Sequence, residues 1–161
     1  MKCRFIEFSE RSHTVAPLTE QMHRLRARQF LDRRGWRVRV EDGKEIDDFD
    51  ALVPIYALLV SDGGRLVGSL RLLRTTGPHM LADLFPETMG TASVIRDPQV
   101  WESSRFCIDT EAARAYGPDG VNLATRLLLL GLFEMAETRG LHGIVSVFDL
   151  AMERILEHFH S

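Results

Sequence analysis

The chain has 161 residues, a mass of 18.3 kDa and a formal net charge of −3. Hydrophobic residues make up 45% and charged residues 27% of it, a globular composition that excludes disordered, collagen-like and coiled-coil proteins. This length is typical of one domain, so we expect a single domain over residues 1–161 whose core needs neither disulfides nor a bound metal.

The N-terminal half is predicted to contain one helix and several strands. In chain order, the predicted elements are a strand over 2–8, a helix over 17–34, a short strand over 36–40, an acidic loop over 41–50 and a hairpin of strands 55–60 and 66–73. Apolar residues at helical spacing indicate the helix, with Pro17 in its first turn and Gly35 at its end. The Asp62-Gly63-Gly64 sequence is typical of the turn of a hairpin.

The C-terminal half alternates strands and helices. Its predicted elements are a loop over 75–99 with a short helix at 79–85, a strand over 100–108, a helix over 119–139, a strand over 144–148 and a last helix over 150–159. The helix over 119–139 is apolar nearly all round, so we expect it to be covered on most sides. A strand meander followed by a β-α-β unit predicts an α/β fold, a mixed twisted sheet with helices on both faces.

Charge is unevenly distributed along the chain. Residues 1–40 hold ten arginine or lysine residues and four acids, whereas residues 41–50 hold six acids and one lysine. A basic surface can bind nucleic acid, dock an acidic protein or form a solvated helix face. Because the arginines are not interleaved with exposed aromatic residues and no nucleic-acid-binding motif is present, we expect no nucleic-acid partner.

The cellular location is predicted from the cysteines and the apolar runs. Cys3 and Cys107 lie too far apart for a disulfide framework or a metal-ligand cluster, which is typical of a reducing compartment. The sequence has no run of about 18 apolar residues and no signal-peptide pattern at its start. We therefore expect a cytoplasmic protein with no membrane partner and no metal site.

Charged residues inside apolar strands are candidates for a functional site. Arg71 lies in an otherwise apolar strand, where it must be paired or line a cleft, in a structural or a functional role. Glu102, Ser104 and Arg105 share the most polar strand, and charges in a central strand are costly without partners. Alternation places Glu102 and Ser104 on one face and Arg105 on the other, so a β-bulge is needed to bring Glu102 and Arg105 into one site.

The acidic loop needs cations unless it is fully solvated. Glu45, Asp47 and Asp50 repel one another, and their candidate partners are the helix arginines or Arg71 and Arg105. A solvated acidic loop is the alternative, since the spacing does not match a calcium loop.

The predicted first helix places Arg26 and Phe30 on one face, and Trp36 follows just after its end. By spacing alone, Phe30 and Trp36 are core residues and Arg26 is a surface residue. The sequence contains no Gly-x-Ser-x-Gly, His-x-x-x-His or phosphate-loop motif that would indicate another chemistry.

Several segments match one known pattern in residue type and spacing. They are Arg26-x-x-x-Phe30, Trp36, Glu45-x-Asp47-x-Phe49-Asp50, Tyr56, Gly68-x-x-Arg71-Leu72 and Trp101-Glu102-x-Ser104-Arg105-Phe106, with Met152-Glu153-Arg154 further on. Together they resemble the acyl-homoserine-lactone synthase (autoinducer synthase) family. The resemblance implies a fold similar to that of the Gcn5-type N-acetyltransferases.

The resemblance also implies a reaction. The α-amine of S-adenosylmethionine attacks the thioester of an acyl group carried by acyl carrier protein or coenzyme A. The methionine carboxylate then attacks its own γ-carbon, which gives the lactone and releases 5′-methylthioadenosine. S-adenosylmethionine is a substrate, so no cofactor is implied, and the acidic carrier protein is a candidate partner for the arginine-rich surface.

The resemblance implies a role for each candidate residue. Glu102 is the implied base for the amine, with Ser104 and Arg105 beside it as catalytic residues. The residues implied to shape the S-adenosylmethionine site are Arg26, Phe30, Trp36, Asp47, Asp50, Arg71 and Arg105. Ser146 lies near a position linked in some members to the choice of 3-oxo-acyl groups. We expect the acidic loop to fold over the pocket, held by Arg71 and Arg105.

One departure from the family and two alternatives follow. Members usually continue past Met152-Glu153-Arg154, so the sequence predicts a single synthase-like domain that lacks the family's last strands. One alternative is an N-acetyltransferase using acetyl-coenzyme A, although Asp119 stands where its signature, begun at Arg114, requires Gly or Ala. The other is a non-catalytic truncated homologue that binds ligand without turnover.

Overall fold

The main sheet of this protein has five strands in a computed structural model that describes residues 1–7, 15–90 and 93–147. These strands are β1 Lys2–Ile6, β4 Ile55–Val60, β5 Leu66–Arg74, β6 Val100–Ile108 and β7 Gly143–Ser146. A separate hairpin is formed by β2 Val40–Glu41 and β3 Lys44–Glu45.

In the described residues, four α-helices and three other helical turns connect the strands. The α-helices are α1 Ala16–Ala27, α2 Met80–Asp83, α3 Thr110–Arg114 and α4 Gly120–Thr138. A π-helical turn, Arg28–Arg33, continues α1, and 3-10 turns occupy Asp48–Ala51 and Pro86–Met89. The helix predicted over 17–34 and the hairpin predicted over 55–73 are therefore close to the observed elements.

The sheet is mixed. Strand order is β1-β4-β5-β6-β7, and each neighbouring pair is antiparallel except β6 and β7, which are parallel. A parallel pair requires a crossover, and α3 and α4 provide it between β6 and β7. The predicted α/β fold with a mixed sheet is confirmed.

Helices cover both faces of the sheet. Ala57 and Leu59 of β4 belong to the core that packs under α4, whereas Tyr56 and Leu58 belong to the core that packs under α1. Successive residues of a strand point to opposite faces, so α1 and α4 lie on opposite sides of the sheet. The candidate site develops on the α1 side.

The strand predicted over residues 36–40 is wrong, because only Val40 enters a strand. Gly35 adopts a left-handed φ of 65°, and the Trp36 N–H donates to the Phe30 carbonyl. The Trp36 ring then stacks on the Phe30 ring with their centroids 5.1 Å apart. The chain after α1 therefore folds back on the end of the helix instead of extending, and alternation alone did not reveal this contact.

Helix α4 is less covered than the sequence predicts. One face packs on the sheet through Leu128 and Leu132, which are 0% and 3% exposed. On its outer side, Leu123, Leu130 and Phe133 are 41%, 54% and 61% exposed. The apolar composition of this helix therefore does not correspond to burial all round within the part of the chain that the structure describes.

A further difference concerns a short element, and one predicted element is not tested. Helix α3 is not predicted, although Asp109 caps it by accepting a hydrogen bond from the Ala112 N–H. The predicted helix over 150–159, with Met152-Glu153-Arg154, lies outside the described residues. Within the described ranges, none of the helices has the length and apolar character needed to cross a membrane.

The Gly120→Ala substitution tests the packing of α3 against α4. A β-carbon at Gly120 would lie 1.9 Å from the carbonyl oxygen of Ala113, and backbone cannot rotate away as a side chain can. We expect this variant to lose about 2–3 kcal/mol of unfolding free energy in denaturant titrations, despite the helix propensity of alanine. Gly77→Ala is the matched control because a β-carbon there meets nothing within 4 Å. Equal stability of the two variants would contradict the close approach.

Candidate active site

A cavity of about 480 Å³ lies between the end of α1, helix α2 and strand β6. Its wall is part aromatic and part charged, since Phe30 and Trp36 face it together with Glu102 and Arg105. Glu102 is 0% exposed and Trp36 is 36% exposed, so the cavity runs from the interior of the sheet to the surface. With Ser104, which also lines it, the structure places five of the candidate residues around one space.

A β-bulge in β6 brings Glu102 and Arg105 to the same cavity. Arg71 pairs with Ser104 and Ser69 pairs with Cys107, so two residues of β6 lie opposite one residue of β5. Arg105 has a left-handed φ of 57°, which is uncommon for a residue other than glycine. The extra residue reverses the alternation, as the sequence analysis required for Glu102 and Arg105 to share a site.

Three arginines and three acids form a group, four of them buried and Arg105 and Asp47 half-buried, that we name the ionic cluster. Its members are Arg26, Arg71, Arg105, Glu45, Asp47 and Asp50. The three arginines come from α1, β5 and β6, whereas the three acids come from the loop predicted as acidic. A solvated loop is therefore excluded for these three acids, and their formal charges balance those of the arginines.

Arg26 and Asp50 form the centre of the ionic cluster. The two terminal nitrogens of Arg26 donate to the two carboxylate oxygens of Asp50 at 2.9 and 2.8 Å, which is the strong bidentate arrangement. Arg26 also contacts Glu45, and it is 1% exposed. The surface position that helical spacing favoured for Arg26 is wrong, because its partners come from a loop about twenty residues away.

The neighbouring arginines keep Asp50 in its ionised form. Burial alone raises the pKa of a carboxyl, but the hydrogen bond and charge of Arg26 and the charge of Arg71 outweigh burial and hold the pKa of Asp50 well below its usual range. The Tyr56 hydroxyl donates to Asp50 at 2.7 Å. Burial and the charge of Asp50 raise the pKa of Tyr56, so it remains a neutral donor at physiological pH.

Asp47 connects the acidic loop to the two strand arginines. One of its carboxylate oxygens accepts a hydrogen bond from Arg71, and the other forms a 2.8 Å ion pair with Arg105. The same side chain accepts from the Asp50 N–H, while Asp50 accepts from the Asp47 N–H. This reciprocal capping fixes the 3-10 turn, so the loop is held against Arg71 and Arg105 by charge and by backbone together.

Glu102 is anchored by backbone donors. Its two carboxylate oxygens accept hydrogen bonds from the Met80 N–H at 3.0 Å and from the Leu81 N–H at 2.5 Å. Two donors match an ionised carboxylate, which only accepts. A carboxylate oxygen can accept more than one hydrogen bond, and Glu102 also lines the cavity.

The remaining candidates lie near the cavity with different partners. The Arg71 Nε donates to the Ser104 hydroxyl at 3.2 Å, and Ser104 faces the cavity. The Ser146 hydroxyl donates to the Ser103 carbonyl at 2.8 Å, and the cavity wall near β7 is formed by Val147. The role predicted for Ser146 in acyl choice stays a prediction, as do the roles of the other candidates toward substrate.

Sequence reasoning did not select three residues that the structure places in the site. Glu45 is 1% exposed and lies between Arg26 and Arg105; the sequence placed it in the acidic loop and in the family pattern, but assigned it no role in the site. Tyr56 was part of the family pattern, but without a role. Met80 faces the cavity from α2 and carried no signal, because a single methionine in a loop segment has no distinctive pattern.

Comparison with known protein families gives one match across nearly the whole chain. Residues 7–159 match the family model described as "Autoinducer synthase". The probable acyl-homoserine-lactone synthase of Sinorhizobium fredii is 43% identical over 141 residues, which are 88% of this chain and 68% of that protein. The acyl-homoserine-lactone synthase of Rhizobium radiobacter is 41% identical over 86% of this chain and 65% of its own length. The chain therefore spans about two thirds of these relatives, and the predicted resemblance is confirmed.

Solved structures agree with the family match. The acyl-homoserine-lactone synthase LasI superposes with a TM-score of 0.82 at 32% identity, over 97% of this chain and 76% of LasI. BjaI, a coenzyme A-dependent acyl-homoserine-lactone synthase solved with S-adenosylmethionine and isopentyl-coenzyme A, gives 0.82 at 28% identity, over 99% and 70%. A putative N-acetyltransferase from Lactobacillus plantarum gives 0.55 at 24% identity, over 98% and 82%, which supports the predicted likeness of fold alone.

The Asp50→Asn substitution tests the ionic cluster. Because the pKa of Asp50 is lowered in the folded state, its stabilisation is complete above about pH 5 and is lost as the pH falls below its unfolded value of about 3.9. We expect the variant to lose about 3–5 kcal/mol of unfolding free energy at pH 7, since it removes the bidentate carboxylate partner of Arg26 and one carboxylate partner of Arg71 from a buried cluster. Its stability should also fall less steeply than that of the wild type between pH 5 and about pH 2.

Asp48→Asn is the matched control for this experiment. Asp48 is two residues away in the same 3-10 turn, but its side chain is 94% exposed. Denaturant titrations of the control should give wild-type stability within about 0.5 kcal/mol at every pH. Equal losses in the two variants would contradict a stabilising role for the buried cluster.

Proposed function

The chain belongs to the autoinducer synthase family, and we propose that it is an acyl-homoserine-lactone synthase. It joins S-adenosylmethionine to an acyl thioester and releases the lactone, a quorum-sensing signal, together with 5′-methylthioadenosine. The observation that carries this proposal is the position of Glu102 in one cavity with Phe30, Trp36 and Arg105. A buried carboxylate beside aromatic rings suits a substrate that carries both an ammonium group and a sulfonium group.

The reaction needs two bond-forming steps. In the first, the deprotonated α-amine nitrogen of S-adenosylmethionine bonds to the acyl carbonyl carbon, the thioester C–S bond breaks, and the thiol leaves with a proton. In the second, a carboxylate oxygen of the same molecule bonds to its γ-carbon, the C–S⁺ bond breaks, and the sulfur of 5′-methylthioadenosine keeps the electron pair. No oxidant or reductant is required, and no cofactor is proposed.

Glu102 is the proposed base of the first step. The α-amine arrives as an ammonium group and becomes a nucleophile only after it loses a proton, which a positioned carboxylate accepts directly or through a water. The hydrogen bonds from the Met80 and Leu81 N–H groups hold the carboxylate in place before substrate binds. Arg105 and Ser104 lie on the same strand and are proposed to orient the reacting groups.

The aromatic pair and the ionic cluster are proposed to hold S-adenosylmethionine. The rings of Phe30 and Trp36 are nearly parallel, with an angle of 6° between them, and they form the aromatic side of the cavity. Aromatic faces attract cations such as a sulfonium. Arg105 faces the cavity and supplies the planar donors that suit the methionine carboxylate, while the buried Arg71 is proposed to order the site through Asp47, which pairs with both arginines.

The acyl donor is a thioester of acyl carrier protein or of coenzyme A. BjaI was solved with isopentyl-coenzyme A, which supports a coenzyme A donor. Exposed arginines close to the cavity support either donor, because they suit the acidic carrier protein and the phosphates of coenzyme A. Arg37 faces the cavity. Arg33 and Arg39 are close to Arg37 in the sequence, and both are exposed.

Mass spectrometry of a reaction with S-adenosylmethionine and mixed acyl donors tests the function. The expected products are an N-acyl-homoserine lactone and 5′-methylthioadenosine in equal amounts. Acetylated amines would instead indicate an N-acetyltransferase, and the absence of any product would indicate a non-catalytic relative. Either outcome would overturn the proposal.

Glu102→Gln tests the base. Glutamine has nearly the same shape but cannot accept the ammonium proton, so kcat should fall about 100-fold or more. Glu87→Gln, in the exposed 3-10 turn after α2, is the matched control and should keep the wild-type kcat. If the Glu102 variant turned over like the wild type, another group would have to be the base.

Salt and charge reversal test the docking of a carrier protein. If an acidic carrier docks on the exposed arginines, kcat/KM for its acyl thioester should fall as sodium chloride is raised from about 0.05 to 0.5 M, because salt screens exposed charges. Arg37→Glu should lower the same kcat/KM several-fold at low salt. Lys2→Glu, on the exposed start of β1, should not change it. If kcat/KM for the carrier-bound substrate changed neither with salt nor in the Arg37→Glu variant, electrostatic docking would be excluded.

A further inference from the structure

Met80 places its sulfur atom between two arginines of the ionic cluster. The Met80 Sδ lies 3.1 Å from Nη2 of Arg71 and 3.5 Å from Nη1 of Arg105, within hydrogen-bonding distance for sulfur. The side chain is 7% exposed and faces the cavity. A thioether is a weak acceptor, but it is polarisable and accommodates to the two guanidinium planes at once.

The sulfur accepts from the nitrogens that the oxygen acceptors do not use. In Arg71, Nε donates to Ser104 and Nη1 donates to Asp47 and Asp50, while Nη2 contacts Met80. In Arg105, Nε and Nη2 contact Glu45, while Nη1 contacts Met80. In each guanidinium group, one terminal nitrogen is therefore held by the thioether sulfur of Met80: Nη2 in Arg71 and Nη1 in Arg105.

The backbone of Met80 holds a different group of the site. Its N–H donates to the carboxylate of Glu102 at 3.0 Å. One residue thus contacts the ionic cluster through its side chain and the proposed base through its amide. Because Glu102 precedes the β6 bulge and Arg105 lies in it, their relative position is fixed both through the strand and through Met80.

We propose that Met80 is a positioning residue of the synthase reaction, an inference that rests on the proposed function. Its sulfur orients the guanidinium groups of Arg71 and Arg105, and its amide orients Glu102. Met80→Leu keeps the volume and the amide but removes the sulfur acceptor. The expected effect is therefore on substrate holding, with little effect on the proton transfer.

Kinetics of Met80→Leu provide the first test. The KM for S-adenosylmethionine should rise about three- to tenfold, the range expected for the loss of one or two weak hydrogen bonds, while kcat stays within about twofold. Met22→Leu is the matched control, since Met22 is 1% exposed in the apolar core under α1. A wild-type KM in the Met80 variant, or an equal rise in both variants at equal thermal stability, would overturn the proposal.

A nuclear magnetic resonance experiment tests Met80 without turnover. The ε-methyl groups are labelled in methionine, and the Met80 and Met22 signals are assigned by their loss in the two leucine variants. Arg105→Lys and Glu102→Gln should each shift the Met80 signal and leave the Met22 signal in place. An unmoved Met80 signal would refute the contacts, whereas moved signals together with a wild type that makes no lactone would refute the proposed function alone.

Discussion

Three guanidinium groups and three carboxylates buried together are the constraint on which this site depends. A charge in the interior is costly unless an opposite charge and hydrogen bonds answer it, and here Arg26, Arg71 and Arg105 come from three different elements. Their partners all come from one short segment, residues 45–50, which comprises the end of β3 and the 3-10 turn after it. This segment cannot lift from the sheet without leaving buried charges unpaired, so it fixes Arg105, which lines the cavity, from behind.

The cluster and the proposed base are parts of one arrangement. Glu102 does not belong to the ionic cluster. It precedes Ser104 by two residues and Arg105 by three, and the bulge brings all three side chains to the same side of β6. Its carboxylate is held by backbone N–H groups of α2, and α2 in turn meets the cluster arginines through Met80. Substrate therefore meets groups whose positions are set before it arrives, which is the condition for electrostatic and proton-transfer catalysis.

Much of the fold was predictable because its signals are local. The β4-β5 hairpin follows from two apolar runs around an Asp-Gly-Gly turn, and the bounds of β6 follow from its flanking residues. The strand over 36–40 failed because its outcome depends on the stacking of Trp36 on Phe30, a contact that alternation does not encode. Helical spacing placed Arg26 at the surface because spacing likewise does not encode its contact with Asp50.

The site was predictable where the residues formed a pattern and not where a residue acts through contacts. Asp47, Asp50 and Glu102 were found because charged residues at set spacings matched a family. Glu45 was visible as an acid, but whether an acidic loop is solvated or paired depends on which strand arginines face it. Met80 was invisible, since its contribution arises from two distances and one amide hydrogen bond.

The bulge at Arg105 also limits how this region can change its length. One extra residue in β6 makes side chains on both sides of it face the same cavity. Deleting a residue there, or inserting another, would turn either the proposed base or the cluster arginine toward the opposite core, where the packing is apolar. Related sequences can therefore differ in the side chains of this strand but not in its length. They should align through it without a gap.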